Sequence, residues 1–132
     1  MIGLDTSVLV RFLVQDDPAQ SAAATSLIER CDARAPGFIG REALIETVWV
    51  LESAYGFTPS RIAAVLIGLL EAEELVIEAE TDVAVAAHAY GSGMADFADH
   101  MIAAAALRSG CETLYTFDRK AARHNAATLL VK

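Results

Sequence analysis

Carboxylates that can do chemistry follow two predicted strands of this sequence. Asp5 directly follows the apolar segment Ile2–Leu4, and Asp118 directly follows Thr113–Phe117. Both segments carry the apolar, β-branched or aromatic residues typical of short strands. In a parallel α/β sheet the carboxyl ends of the strands lie at one edge, which is where ligands bind. We therefore expect Asp5 and Asp118 to lie on the same edge of one sheet.

Three further acidic residues belong to predicted helices. Asp96 and Asp99 precede the apolar helical run Met101–Leu107, with the spacing of a capping box in which Asp96 is the N-cap. Glu46 lies off the apolar stripe of a helix at Arg41–Tyr55 and has mostly apolar neighbours. Each acid also has a purely structural interpretation, because Asp commonly caps helices and Glu commonly lies on solvated helix faces.

Taken together, these five acids indicate a site for a cation. Helix N-termini favour the ionised form of a carboxylate. Several ionised carboxylates at one edge repel one another unless a cation lies among them. Clusters of oxygen ligands select hard cations, chiefly Mg²⁺ or Mn²⁺. No His or Cys spacing in the sequence supports a zinc site, so magnesium or manganese is the predicted metal.

The elements that must position these acids alternate between strands and helices. The predicted strands are Ile2–Leu4, Phe38–Ile39, Leu75–Ile77, Thr113–Phe117 and Thr128–Val131. The predicted helices are Val8–Val14 (opened by Thr6 and Ser7), Pro18 to about Cys31, Arg41–Tyr55, one that begins at Thr58–Ser60, one capped by Thr81 or Asp82 that reaches Tyr90, one from Asp96 to Gly110, and a short one near Arg119–His124. Strands separated by helices predict a parallel sheet covered on both faces. We expect one three-layer α/β/α sandwich with a central parallel sheet, spanning residues 1–132.

The composition restricts the class of protein. The 132 residues are 55% hydrophobic and carry a net charge of −8, which suits one folded core and excludes disorder. An acidic balance disfavours a general nucleic-acid coat protein, but it allows a nuclease whose metal faces the phosphate. The longest apolar run is far short of a membrane span and no signal peptide precedes Ile2, so we expect a cytoplasmic protein with no membrane partner. Cys31 and Cys111 fit no metal or redox spacing and are expected to be reduced thiols.

Four segments of the chain, in order, resemble the PIN domain. They are LDTSVLVRFL at the start, IETVWVLE, DFADHMIAAAALRSGC and LYTFDRKAA. The resemblance covers nearly the whole chain and is strongest to the VapC toxins of bacterial toxin–antitoxin pairs. It implies a parallel-sheet α/β/α sandwich and metal-dependent cleavage of RNA.

The resemblance also assigns roles to the acids. Asp5, Glu46, Asp99 and Asp118 match the four family acids, and Asp96 matches a further acid that assists with metal. Asp5, Asp99 and Asp118, together with Asp96, would hold one or two Mg²⁺ or Mn²⁺ ions. Glu46 would position the attacking water. In-line attack would then release a 3′-hydroxyl and a 5′-phosphate.

Other residues are expected to support this site. Thr6 and Thr116 match the small hydroxyl residues that orient it in the family. The cations expected to contact the RNA backbone are Arg11, Arg41, Arg119, Lys120 and Arg123, although each of them can also be a solvated surface charge. His88, His100 and His124 have no Ser or Cys nucleophile at motif spacing, and His100 is expected at the surface or facing a partner.

The resemblance further implies partners. VapC-like proteins commonly form homodimers, and the apolar content of this small chain favours the same state. An uninhibited ribonuclease would harm its host, so a small VapB-like antitoxin is expected to lay an apolar helix across the groove between the early helices. Two alternatives remain open: a non-catalytic PIN-like binding module, and a metal-dependent hydrolase of small phosphoesters.

Overall fold

The computed structural model describes residues 1–131, in which short parallel strands alternate with longer helices. The strands are β1 (Ile2–Gly3), β2 (Gly37–Ile39), β3 (Leu75–Ile77), β4 (Leu114–Thr116) and β5 (Ala127–Leu129). The helices are α1 (Thr6–Val14), α2 (Pro18–Glu29), α3 (Arg41–Ser53), α4 (Pro59–Glu71), α5 (Glu80–Gly91) and α6 (Phe97–Arg108), with a 3₁₀ turn at Ala121–Arg123. This arrangement confirms the predicted α/β sandwich with a parallel sheet.

Local sequence signals set most of the helix ends. The carboxylate of Asp17 accepts a hydrogen bond from the N–H of Gln20, and Pro18 occupies the first turn of α2. Thr58 caps α4 in the same way through the N–H of Arg61. Gly110 follows α6 with φ of 86°, a left-handed conformation that Gly adopts without steric cost. These bounds follow the predicted ones closely.

The predicted cap of α5 is wrong. The helix begins at Glu80, and the N-cap is Ala79 in a left-handed conformation with φ of 54°, rather than Thr81 or Asp82. The carbonyl of Ala79 accepts the N–H of Val83 at 3.0 Å. Only two residues separate β3 from α5, so the tight turn after the strand decides where the helix starts.

The strands form two hydrogen-bonded groups, both parallel. One has the order β1-β2-β3 and the other pairs β4 with β5. The expectation that Asp5 and Asp118 follow strands of one sheet is therefore wrong, because β1 and β4 belong to different groups. As the edge strand of its group, β1 leaves Ile2 42% exposed.

The hydrophobic core holds the two helices that carry most of the acids. Leu44, Val48 and Leu51 bury one face of α3, which turns Glu46 to the outside. Phe97 and Met101 are fully buried and fix the start of α6, where Asp96 and Asp99 lie. Among residues 1–131, no helix is both long and apolar enough to cross a membrane.

Candidate active site

The start of α6 places two carboxylates one helical turn apart. Asp96 is the N-cap, and its N–H donates to Oδ2 of Asp99 at 3.3 Å, which is one half of a capping box. The Asp96 carboxylate contacts a different element of the fold. Its Oδ1 accepts a hydrogen bond from Nζ of Lys120 at 2.7 Å, across 24 positions of sequence.

Asp118 adds a third carboxylate to this region. Its N–H donates to Oγ1 of Thr116 at 3.0 Å, and its Oδ1 accepts the N–H groups of Lys120 at 2.8 Å and Ala121 at 3.3 Å. Thr116 thus shapes the turn that carries Asp118, and Asp118 accepts N–H groups at the start of the 3₁₀ turn. We call Asp96, Asp99 and Asp118 the acid cluster.

The charges of the acid cluster interact. Burial raises the pKa of Asp99 above its ordinary value, and the negative charges of Asp96 and Asp118 raise it further. The hydrogen bond from the Asp96 N–H and the nearby His100 oppose this shift. The net upward shift therefore reflects burial first, and the two neighbouring carboxylates add to it.

Asp5 and Glu46 lie together in a neighbouring cavity. They line about 310 Å³ together with Arg11 and Tyr55. Asp5 caps α1, since Oδ1 accepts the N–H of Thr6 at 2.8 Å and Oδ2 accepts the hydroxyl of Ser7 at 3.4 Å. The buried hydroxyl of Thr6 does not contact an acid.

Thr6 instead connects two helices. Its Oγ1 donates to the carbonyl of Ala43 at 3.4 Å, which joins the start of α1 to α3. Glu46 lies one turn further along α3 and is exposed. This contact therefore joins the helix start beside Asp5 to the helix that carries Glu46.

A second cavity connects Glu46 with the acid cluster. It has about 600 Å³ and is lined by Glu46, Asp96, Trp49 and Glu52, among others. Trp49 is 64% exposed there, and Glu52 accepts the hydroxyl of Tyr90 at 2.8 Å. Trp49 and Glu52 were not predicted as site residues from the sequence. A signal existed, because Trp49 follows Glu46 by three positions and so lies on the same helix face.

The predicted RNA-binding cations have different surroundings. Arg11 donates to Gln20, Asp16 and Tyr55, and the guanidinium of Arg41 donates to the carbonyl of Met101 at 3.0 Å. Lys120 pairs with Asp96. The remaining two, Arg119 and Arg123, are exposed.

The predicted surface position of His100 is wrong. His100 is 3% exposed, and its ring packs edge-on against His124 with centroids 5.3 Å apart. Burial lowers the pKa of His100, as does the nearby His124. Asp99 and His100 differ by about 100° around α6, so one faces the acid cluster while the other faces α5 and the segment of His124.

The sequence profile of the PIN domain matches residues 2–127 of this chain. The chain belongs to the PIN domain family. No curated protein and no solved structure matches it. PIN domains are generally nucleases that act on RNA, and they usually bind divalent metals. Membership in the family thus indicates a nuclease-type function.

The donors of this PIN domain suit a hard divalent cation by their chemistry, because they are carboxylate oxygens. They are not gathered into a ligand set. Within the described part of the chain, no three His, Cys, Asp or Glu side chains lie close enough together to hold a metal ion. Asp96 is engaged by Lys120, while Asp5 and Asp118 accept local hydrogen bonds. The donor chemistry therefore fits a metal, whereas among the described residues the carboxylates are not gathered around one point.

Proposed function

We propose that this PIN domain, spanning residues 1–132, is a Mg²⁺-dependent endoribonuclease and the toxin of a type II toxin–antitoxin pair of the VapC kind, acting in the cytoplasm. The observation that carries the proposal is the acid cluster, in which the pKa of Asp99 is raised by burial and by the charges of Asp96 and Asp118. Carboxylates with perturbed pKa values are commonly found at functional sites, and here they would bind the cation that contacts the phosphate.

Each acid has a place in this proposal. Asp5, Asp99 and Asp118 would hold Mg²⁺ or Mn²⁺, with Asp96 assisting. When bound, such a cation lowers the pKa of water and offsets the charge that develops on the phosphate. Glu46 lines both the cavity that it shares with Asp5 and the one that it shares with Asp96. Its carboxylate would position the attacking water and accept its proton.

The RNA would lie across the larger cavity. Trp49 offers an exposed ring on which a nucleobase of a single strand can stack. Arg119 and Arg123 are exposed on the segment that follows Asp118 and would neutralise phosphates on that side. Arg11 lines the cavity of Asp5 and Glu46 and would meet a phosphate only at that end, whereas Arg41 is held by α6 and contributes less.

Cleavage by the Asp5→Ala variant tests the nuclease. Wild type should cut structured RNA in Mg²⁺ and not in EDTA, and Asp5→Ala should be inactive while it keeps its fold by circular dichroism. Cleavage by the variant at the wild-type rate would place the site elsewhere. If wild type hydrolyses a chromogenic phosphoester but does not cleave RNA, the protein is a small-phosphoester hydrolase. If wild type has neither activity, it is a non-catalytic binding module.

A groove between α1 and α2 supports the proposed antitoxin. It has about 310 Å³ and is lined by apolar residues, among them Val8, Ala24 and Leu27, with Ser7 and Arg11 at the same groove. Because the hydroxyl of Ser7 contacts Asp5, a helix seated in the groove would end beside that acid. An Arg or Lys from a small VapB-like antitoxin would then reach the carboxylates and compete with Mg²⁺.

Co-expression with the neighbouring short open reading frame tests this biology. We expect a co-purifying small protein, a toxin that runs as a homodimer by sizing, and cleavage that stops when the partner is added. A chain that is monomeric, harmless when expressed alone and without a small partner would exclude the toxin role, even if the nuclease activity remains.

A further inference from the structure

A lysine of this chain occupies the acid cluster. Nζ of Lys120 lies 2.7 Å from Oδ1 of Asp96, with the two side chains 49% and 53% exposed. The position of Lys120 is set by another acid of the cluster, since its backbone N–H donates to Oδ1 of Asp118 at 2.8 Å. Asp118 thus holds the backbone of Lys120, whose ammonium contacts Asp96.

The charges of other acids in the region also act on the Lys120 ammonium. The hydrogen bond and charge of Asp96 raise the pKa of Lys120, and Asp99 and Glu52 add to the shift. The contact that Lys120 makes is with Asp96, whereas Asp99 and Glu52 act on it only through their charges. Its charge neutralises part of the repulsion that these carboxylates would otherwise feel.

The same contact involves one of the donors that the metal would need. Asp96 is a proposed metal ligand, yet its Oδ1 is bound by an ammonium, and the described residues form no three-donor group. We propose that Lys120 is a built-in counter-ion of the acid cluster, which competes with a divalent metal for Asp96 and weakens metal binding. The inference rests on the metal binding of the proposed function and adds a positioning residue to it.

Mn²⁺ affinity measured by isothermal titration calorimetry tests this competition. Lys120→Met should bind Mn²⁺ about two- to fivefold more tightly than wild type, the range expected for loss of one exposed ion pair. Arg119→Met is the matched control, because it removes the same charge from the adjacent exposed position. It should change the affinity by less than about 1.5-fold, since exposed charges that do not contact the acids are screened. Lys120→Gln provides a second variant with a polar side chain.

A double-mutant cycle isolates the pair. In an Asp96→Asn background, Lys120→Met should leave the Mn²⁺ affinity unchanged. The carboxylate for which Lys120 and Mn²⁺ compete is then already absent. Equal gains in Lys120→Met and Arg119→Met, or a full gain that persists in the Asp96→Asn background, would overturn the role of Lys120 while wild type still binds metal. Absence of Mn²⁺ binding in wild type and in both Lys120 variants would overturn the metal site itself, and the inference with it.

Discussion

Two exposed groups of charged side chains on this PIN domain contain the same kinds of residue and differ in electrostatic balance. The first joins α1 to the end of α3, where Asp16 accepts from Arg11 at 3.0 Å and from the Tyr55 hydroxyl at 2.6 Å. The second is the acid cluster with Lys120. The first group has one carboxylate, Asp16, and one cation, Arg11. The second has the three carboxylates of the acid cluster and one cation, Lys120.

The pKa values of the two groups move in opposite directions. The hydrogen bond from Tyr55, followed by the charge of Arg11, lowers the pKa of Asp16. Burial and neighbouring acids raise the pKa of Asp99. The ionised form is therefore stabilised by folding in the first group and penalised in the second. The difference fits the proposal that the Asp16 group serves the structure and that the acid cluster is where a ligand binds.

The largest expected effect is on RNA cleavage. Asp99→Asn should lower kcat/KM by about 100-fold or more, because a lost metal ligand removes several kcal/mol of charge stabilisation. Asp16→Asn is the matched control and should stay within about twofold, since Asp16 only holds Arg11 and Tyr55. A loss of cleavage in Asp16→Asn as large as that in Asp99→Asn would remove the distinction between the two groups.

The same assay ranks the acids within the cluster. Asp96→Asn should lose less activity than Asp99→Asn, because Asp96 is the helix N-cap and is already paired with Lys120. An equal loss of RNA cleavage in the two variants would contradict this ranking and indicate that Asp96 is as important a metal ligand as Asp99.

A smaller effect is expected on RNA binding. Trp49→Ala should raise the KM for single-stranded RNA by about fivefold or more, since stacking of one base contributes about 1–3 kcal/mol. Tyr55→Phe keeps an aromatic ring and removes only the hydroxyl of the Asp16 group, so its KM should be unchanged. Steady-state kinetics with one fluorescent substrate compares the two, and an unchanged KM in Trp49→Ala would exclude the ring from the RNA path.

The response to metal should separate the groups by thermal stability. Mg²⁺ or Mn²⁺ should raise the Tm of wild type by mass action. Asp99→Asn should lose most of this increase, whereas Asp16→Asn should keep it. Differential scanning fluorimetry with and without EDTA measures both, and a full increase in Asp99→Asn would show that Asp99 is not a ligand.

The smallest effect is a difference in pH dependence, measured by the Tm of each variant in EDTA. The folded pKa of Asp99 is raised, so its ionisation costs stability, and that cost appears as pH rises from about 4 through the raised value. The Tm of Asp99→Asn should therefore rise relative to the Tm of wild type as pH increases. The folded pKa of Asp16 is lowered, so its contribution is present at neutral pH and is lost as pH falls through that value. Asp16→Asn should be less stable than wild type at neutral pH and approach it in acid, and parallel curves for the two variants would contradict the assigned shifts.

The sequence by itself determined the fold class and most element bounds. Capping by Asp17 and Thr58, the stop at Gly110 and the apolar stripe of α3 are local, because a helix start depends on side chains within one turn of its own backbone. The start of α5 was missed since a tight turn after β3 outweighed the usual capping preference. The order of the four acid-bearing segments also sufficed to predict the PIN family.

Only the tertiary structure decided how the acids are arranged. Whether β1 and β4 join one sheet, whether Lys120 reaches Asp96 across 24 positions, and whether His100 is buried all depend on contacts between distant segments. Such contacts are set by how whole elements pack, and residue spacing carries no record of them. The sequence therefore supplied the candidate side chains for the proposed chemistry, and the packing of α3, α6 and the segment after β4 decided which of them meet.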